Sequence, residues 1–306
     1  MVVMKDLSSH TTPLFVSAVR LLPAGLLLVA WAARSGRAQP SSPMAWMSIA
    51  VFGLIDGTGF QGFLAEGLQR TSAGLGSVII DSQPLTVAVL AALLFGEELA
   101  AGGYVGMGLG VAGLCLLEVP LDLLFHAPEI AAGLLTDGPQ AVSAAASSTG
   151  RSWSIWDSGE WWMLLAAQSM AVGTVLVPWV SRYSDAVMAT GWHMVLGGIP
   201  LLALSVMQEA DTLLPRLADF NGWDAVSLVY ISVLGSAASY GVFFYNASRG
   251  NLTALSSLTF LTPMFAALTG YIFLGETLTP LQLAGATVTL GAVALINSNG
   301  KRKQAS

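Results

Sequence analysis

Charged residues are scarce in this sequence. Only 10% of the 306 residues are charged, whereas water-soluble domains carry about 25%. So few charges cannot cover the surface of a soluble domain of this size, which excludes that class. Cysteine is scarcer still: Cys115 is the single cysteine, so no internal disulfide can form. Lys and Arg form no basic patch apart from residues 301–303, so a nucleic-acid partner is not expected.

Hydrophobic residues make up 54% of the chain and fall into long apolar runs between short clusters of charge. These runs have roughly the 20 residues that a helix needs to cross about 30 Å of hydrocarbon. Glycines lie inside the runs, where small residues let helices approach closely in lipid. We therefore predict an all-α integral membrane protein with nine spans. The predicted spans are 12–33, 44–65, 72–95, 102–119, 161–180, 186–207, 223–246, 253–274 and 279–297.

The chain contains an internal repeat. A shift of 179 residues makes ten of the 56 positions from 62 to 117 identical, and it aligns a proline within a span and a Gly-Glu pair at the span's exit. We assign structural or gating roles to these landmarks, which are Pro84, Gly96, Glu97, Pro263, Gly275 and Glu276. Nearer the N-terminus the shift is 173, which aligns Arg20 with His193.

Alternate threading of the nine spans runs the two proline-containing spans in opposite directions, so the repeat is predicted to be inverted. Inverted repeats are typical of transporters that bind their solute near the membrane midplane. A duplicated bundle without transport is the alternative. The predicted organisation is a first repeat at 1–119, a linker at 120–159, a second repeat at 160–297 and a basic tail at 298–306. The second repeat has five spans and the first only four, so we expect a missing first span.

Two stretches carry a family resemblance. Residues 67–84 (GLQRTSAGLGSVIIDSQP) and 189–194 (ATGWHM), with the Gly-Glu landmarks, resemble the EamA family of the drug/metabolite transporter superfamily. They are most similar to a plant and algal branch that is related to the walls-are-thin transporters and assigned to the chloroplast. The resemblance implies ten spans in two five-span repeats, transport of a small metabolite and a location in a chloroplast membrane. It does not identify the substrate.

Ionisable side chains inside a bilayer cost a few kcal/mol each and are therefore functional candidates. The predicted substrate-binding residues are Arg20, Asp56, Asp81 and His193, with Gln61 and Tyr240 as neutral hydrogen-bonding groups. Asp81 lies three residues before a proline and aligns with Phe260 in the second repeat, which favours a role in function over scaffolding. A buried salt bridge to Arg20 is the alternative.

Asp56 is surrounded by glycines in the middle of a span. Burial disfavours the charged form of a carboxylate, as a proton-coupling group requires, but a plain hydrogen bond to a neighbouring span is equally compatible. Arg20 can hold an anionic solute in a bidentate manner. His193 can titrate near neutral pH, and an interhelical hydrogen bond is its alternative role.

The predicted function is secondary transport of a small organic metabolite by alternating access. A non-transporting membrane scaffold or receptor, and a channel, are the rival interpretations. The sequence contains no Walker-type loop, metal-ligand cluster or nucleophile–base pair, so no enzyme activity, metal or cofactor is expected. The expected partners are the small-molecule substrate and membrane lipid, with proton coupling and homodimer formation left open.

The topology makes a first prediction. Seven basic residues lie on the side of the C-terminal tail and four on the other side, which places the tail on the cytoplasm-like side. In a chain with Cys115 replaced by Ala, cysteines at Ser147 and Ser306 should react with a membrane-impermeant thiol reagent from opposite faces. Labelling of both positions from one face would contradict the five predicted spans between them.

Overall fold

The computed structural model describes residue 7 and residues 10–71, 73–97, 101–118, 155–269 and 279–304. Within these residues, all regular secondary structure is helical. In the first half the helices are α1 (Pro13–Arg34), α2 (Pro43–Arg70), α3 (Ala73–Asp81), α4 (Gln83–Phe95) and α5 (Ala101–Glu118). In the second half they are α6 (Gly159–Val180), α7 (Ala186–Gln208), α8 (Ala210–Leu217), α9 (Gly222–Ala247), α10 (Leu252–Ser256), α11 (Thr262–Thr269) and α12 (Pro280–Gln304).

Six helices in the described part of the chain are long and apolar enough to cross a membrane. They are α1, α2, the stretch Gly76–Phe95, α6, α7 and α9. Shorter apolar stretches at Ala101–Leu116, Leu252–Leu261 and Leu283–Ile296 overlap the other three predicted spans. The all-helical membrane architecture is thus confirmed, and the count of nine spans stays a prediction. The predicted linker lies outside the described residues up to position 154.

Helix boundaries follow from local sequence. Proline occupies the first position of α1 and of α2, where its missing N–H breaks no hydrogen bond. The Ser42 side chain accepts a hydrogen bond from the backbone N–H of Ala45 at the start of α2. Asp185 caps α7 by accepting hydrogen bonds from Val187 and Met188. At the end of α4, Gly96 adopts φ 65°, a left-handed conformation that favours glycine.

The predicted span 72–95 is interrupted. α3 ends at Asp81 and α4 starts at Gln83, so Pro84 lies in the first turn of a new helix, where no intrahelical partner is lost. The Ser82 hydroxyl, between the two helices, donates to the carbonyl oxygen of Ile79 at 2.6 Å. Pro263 has an equivalent position in the first turn of α11, after a 3₁₀ turn at Ser257–Leu261.

Two of the long helices contain a π-helical segment, Gly53–Phe60 in α2 and Val233–Ala238 in α9. A π segment carries one extra residue per turn and leaves backbone groups in need of other partners. The Ser169 hydroxyl of α6 donates to the carbonyl oxygen of Ile55 at 2.7 Å. The Ser239 hydroxyl donates to the carbonyl oxygen of Leu234 at 2.7 Å in the α9 segment. Hydroxyl side chains therefore satisfy backbone carbonyls in both segments.

Glycines set the distance between helices. α2 and α7 touch through Gly53, Gly57 and Gly197, because a Cβ atom on Gly197 would lie 2.5 Å from the carbonyl oxygen of Gly53. α1 packs along α7, and a Cβ on Gly25 would lie 2.7 Å from the carbonyl oxygen of Gly191. In lipid, helix association depends on such close van der Waals packing.

The contact between α2 and α7 makes the second prediction. Gly197→Ala would place a methyl group against the backbone of α2 at Gly53 and Gly57. We therefore expect it to lower stability by about 1–3 kcal/mol, the usual cost of overpacking. Gly108→Ala is the matched control, because a Cβ there meets no atom within 4 Å. Thermal denaturation in detergent measures both variants. Equal stability of the two would contradict this account of the contact.

Candidate functional site

Five of the six predicted substrate-binding residues come together between α1, α2, α7 and α9. They form two hydrogen-bonded groups, one with Asp56 and His193 and the other with Arg20, Gln61 and Tyr240. Asp56, Gln61 and His193 are completely buried, and Arg20 is 8% exposed. These four side chains are therefore closed to solvent in this conformation, whereas Tyr240 is half-buried.

Asp56 and His193 are linked directly. The Nε2 atom of His193 lies 3.1 Å from Oδ2 of Asp56, across the contact between α2 and α7. The other ring nitrogen, Nδ1, is hydrogen-bonded to the carbonyl oxygen of Thr190 one turn earlier in α7. A carbonyl oxygen can only accept, so Nδ1 carries a proton. This fixes the orientation of the imidazole and leaves Nε2 to share a proton with the carboxylate.

The remaining oxygen of Asp56 faces α6. Its Oδ1 atom is buried and has no hydrogen-bond partner among the described residues. A Cβ on Gly173 would lie 2.5 Å from this oxygen, so the carboxyl group fills the space that glycine leaves. Ionisation of Asp56 in this position would leave a buried oxygen without a donor, which is costly.

Aromatic rings enclose His193. The ring of Phe52 stacks on the imidazole with a centroid distance of 4.1 Å, and Phe244 meets it edge-on at 5.5 Å. The Tyr240 ring lies 6.1 Å away. These rings exclude water from the pair and keep the imidazole in one plane.

The second group is a chain of side-chain hydrogen bonds. Nη2 of Arg20 donates to Oε1 of Gln61 at 2.7 Å, and Nε2 of Gln61 donates to the hydroxyl oxygen of Tyr240 at 2.9 Å. The chain joins α1 and α2 of the first half to α9 of the second. Gln61 and Tyr240 are 179 residues apart, which is the shift of the sequence repeat.

The sixth predicted binding residue, Asp81, lies at the end of α3 beside the helix interruption and is half-buried. Its assignment to the substrate site stays a prediction. Among the landmarks, Pro84 lies in the first turn of α4 and Gly96 caps its C-terminal end, whereas Gly275 and Glu276 fall outside the described residues.

Glu97 connects the two halves. Its carboxylate accepts hydrogen bonds from the backbone N–H groups of Leu252 and Thr253 at 3.0 and 3.4 Å, and from the Thr253 hydroxyl at 3.0 Å. These groups start α10, so Glu97 caps a helix of the second half from the end of α4 in the first. The structural or gating role of Glu97 stays a prediction.

An apolar cavity of about 590 Å³ lies apart from the polar site, between α1 and α9. Its lining includes Leu27, Trp31, Val233 and Gly241, with Arg37 at one edge. Since Leu27 and Trp31 are 50% and 55% exposed, this cavity opens on the outer surface of the helix bundle. Neither Asp56 nor His193 belongs to it.

Several site residues gave no signal in the sequence. Phe52 and Phe244 are two of 12 phenylalanines, and an apolar ring in a membrane helix predicts nothing specific. Gly173 and the carbonyl of Thr190 act only through tertiary proximity. The glycines beside Asp56 did indicate close packing, but they did not predict a π segment.

Together, the buried polar site and the apolar helices define a multi-pass integral membrane protein. The model of the EamA-like transporter family matches residues 1–119 and 157–298. The chain belongs to this family, which confirms the resemblance drawn from residues 67–84 and 189–194.

Curated relatives are similar over nearly the whole chain. A WAT1-related chloroplastic protein of Arabidopsis thaliana is 57% identical over 297 residues, which cover 97% of this chain and 66% of that protein. An uncharacterized transporter of Synechocystis is 49% identical, with 99% and 87% covered. A probable amino-acid metabolite efflux pump of Salmonella typhimurium is 26% identical, with 95% and 88% covered. These homologues support a membrane transporter.

A solved crystal structure shares the fold. It superposes with a TM-score of 0.75 at 14% sequence identity and covers 98% of this chain and 92% of its own. At that identity the likeness concerns the fold alone.

The Glu97 cap makes the third prediction. Glu97→Ala and Thr253→Val should each lower stability by about 1 kcal/mol, because each removes hydrogen bonds at the start of α10. The double variant should lose at least about 0.5 kcal/mol less than the sum, because the two side chains share one interaction. Thermal denaturation in detergent measures this coupling.

Thr287→Val provides the control for that cycle. Its hydroxyl is exposed and bonds only within α12, to the carbonyl oxygen of Leu283. Combined with Glu97→Ala, it should be additive. Additivity of Thr253→Val as well would contradict the cap.

Proposed function

We propose that this protein is a secondary carrier that moves a small organic metabolite across a membrane by alternating access between two inverted repeats. The observation that carries the proposal is the hydrogen bond between Gln61 and Tyr240. The repeat shift of 179 makes these residues equivalents of each other, and two equivalent residues can touch only near the axis that relates the halves. A partly buried polar contact on that axis is where the two halves of a carrier would share a solute.

Matched contacts on α1 and α7 support the inverted repeat. With the 173-residue shift, Gly25 corresponds to Gly198. A Cβ on Gly25 would meet Val195 at 2.9 Å, and a Cβ on Gly198 would meet Leu22, the equivalent of Val195, at 2.9 Å. Each helix thus uses the same positions against the other, as a two-fold axis between them requires.

Contacts elsewhere in the bundle repeat the pattern. Gly62 lies against Leu201 and Gly241 against Leu28, which are the equivalent pairs under the two shifts. The same holds for α5 and α12. A Cβ on Gly113 would lie 3.0 Å from the carbonyl oxygen of Gly285, and a Cβ on Gly106 would lie 3.0 Å from that of Ala292, which is the equivalent pair under the shift of 179. The proposed domain organisation, with repeats at 1–119 and 160–297, follows from these shifts.

The solute proposed for the site carries an anionic group. Arg20 stays charged at all physiological pH values, and its guanidinium has the geometry to hold a carboxylate or phosphate in a bidentate manner. In this closed conformation it donates to the neutral amide of Gln61. Gln61 and Tyr240 supply further polar contacts beside it. Asp81 is proposed as an additional contact near the interruption between α3 and α4.

The proposed location is a chloroplast membrane. Its support is the similarity to the chloroplastic Arabidopsis relative, which is 57% identical over 97% of this chain. The chain covers 66% of that protein, so the assignment of the relative's location to this chain is part of the proposal.

The fourth prediction tests transport. Liposomes carrying the purified chain should take up at least one member of a panel of small organic acids, with saturation and with counter-flow by unlabelled solute. Arg20→Gln should lower the uptake rate about tenfold or more, and Arg20→Lys should raise KM because it keeps the charge but loses the bidentate geometry. Arg182→Gln, at an exposed position in the turn after α6, should behave as wild type.

Three results would contradict the proposal. Uptake of no solute in the panel would favour a membrane scaffold. Flux without saturation or counter-flow would favour a channel. An effect of Arg182→Gln equal to that of Arg20→Gln would remove Arg20 from the site.

A further inference from the structure

We propose that Asp56 and His193 form a binding site for a single proton, which enters and leaves only when the helices around the pair separate. We further propose that this proton is coupled to the transport cycle, and this second part rests on the proposed carrier function. The proton site itself stands on the geometry of the pair.

The hydrogen-bond pattern requires one shared proton. Since Nδ1 of His193 donates to the carbonyl oxygen of Thr190, the 3.1 Å contact between Nε2 and Oδ2 of Asp56 needs a proton between two atoms that otherwise each present a lone pair. With that proton the pair is either a carboxylic acid with a neutral imidazole or a carboxylate with an imidazolium. Both forms carry no net charge.

The two forms interconvert by a simple transfer. The O–H bond of Asp56 breaks, its electron pair stays on the carboxylate, and the Nε2 lone pair of His193 takes the proton. No other reactant is needed. Release of the proton to water leaves the pair with one negative charge and turns two lone pairs towards each other.

Burial prevents that release in the closed conformation. Both side chains are 0% exposed, and the second oxygen of Asp56 has no hydrogen-bond donor among the described residues. A buried carboxylate without donors is strongly disfavoured. The glycine contacts of α2 with α7 and α6 leave no room for water beside the pair, because a Cβ on Gly57 or Gly173 would already lie 2.5–2.8 Å from neighbouring atoms. Proton exchange therefore requires these helices to move apart.

The groups that face the pair from each neighbouring element are limited. α9 contributes Tyr240, and α1 contributes Arg20, which reaches the site through Gln61. α6 contributes the uncharged Gly173, and its one acidic residue, Glu160, lies in its first turn. Asp81 on α3, which packs against α6, is half-buried.

The repeat argues against a scaffolding role for the pair. α2 and α9 begin 179 residues apart, at Pro43 and Gly222, so the shift of 179 applies along α2 and makes Asp56 correspond to Gly235. Under the shift of 173 His193 corresponds to Arg20, so the other half holds its helices together without an acid–imidazole pair. A group that only joins helices would be equally useful in both halves. A proton site is needed only once.

The test compares wild type with Asp56→Asn, whose amide keeps the shape and donates to Nε2 but cannot carry the exchangeable proton. Purified full-length chain in lipid is studied by infrared spectroscopy and by ¹⁵N NMR of labelled histidine. In wild type, either a carboxylic acid band that disappears in Asp56→Asn or an imidazolium signal from His193 should persist at pH values where free aspartate and histidine have both lost their protons. Asp219→Asn, an exposed carboxylate in the turn after α8, should change neither signal.

An ionised Asp56 beside a neutral His193, at pH values where free aspartate and histidine have both lost their protons, would overturn the proposed proton site. The wild-type spectra give this answer even if Asp56→Asn fails to fold. Coupling is tested in liposomes with the solute found in the uptake panel. Wild-type uptake should respond to an imposed pH gradient, and Asp56→Asn uptake should be the same with and without it. Equal pH responses of the two would overturn the coupling, whereas failure of all uptake with the shared proton present would overturn the carrier function and support the proton site.

Discussion

The close approach of α2 to α7 is the contact on which the rest of the site depends. Gly53, Gly57 and Gly197 allow the two backbones to touch, with Thr58 donating from its hydroxyl to the carbonyl oxygen of Gly197 at 2.8 Å. Only at this separation can His193 reach across to Asp56. A bulky residue at any of the three glycines would push the helices apart and break a hydrogen bond in a place that water cannot reach to replace it.

The π segments in α2 and α9 also determine which side chains meet at the site. An extra residue in a helix turns the following side chains by about 100° relative to an unbroken helix. In α2 the segment ends at Phe60, so Gln61 is rotated towards Arg20 and Tyr240 directly after it. In α9 the segment ends at Ala238, two residues before Tyr240. Both residues that meet at the centre of the bundle therefore follow a π segment, and their contact depends on where the extra residue is inserted.

Much of this arrangement could be predicted from the sequence, and the reasons for the limits are physical. Span length and charge scarcity are dictated by the bilayer, so the helices were predictable. Ionisable residues in a span are costly, which pointed to Asp56 and His193. Their pairing was not predictable, because it depends on which glycine faces meet. The interruption at Ser82 was also missed as a break between helices, since Pro84 indicated only a lost hydrogen bond.

The two halves of the chain share residues where they pack against each other but differ where they line the buried site. Where they pack against each other, equivalent positions carry equivalent small residues, such as Gly62 and Gly241. Where they line the buried site, equivalent positions carry different side chains: an imidazole in one half occupies the position of a guanidinium in the other. In the proposed carrier, a symmetric scaffold would give both conformations similar stability, because each half could adopt the arrangement of the other. An asymmetric lining would let the two ends of an asymmetric solute be recognised separately, and the proposed proton site would lie on one side of the axis.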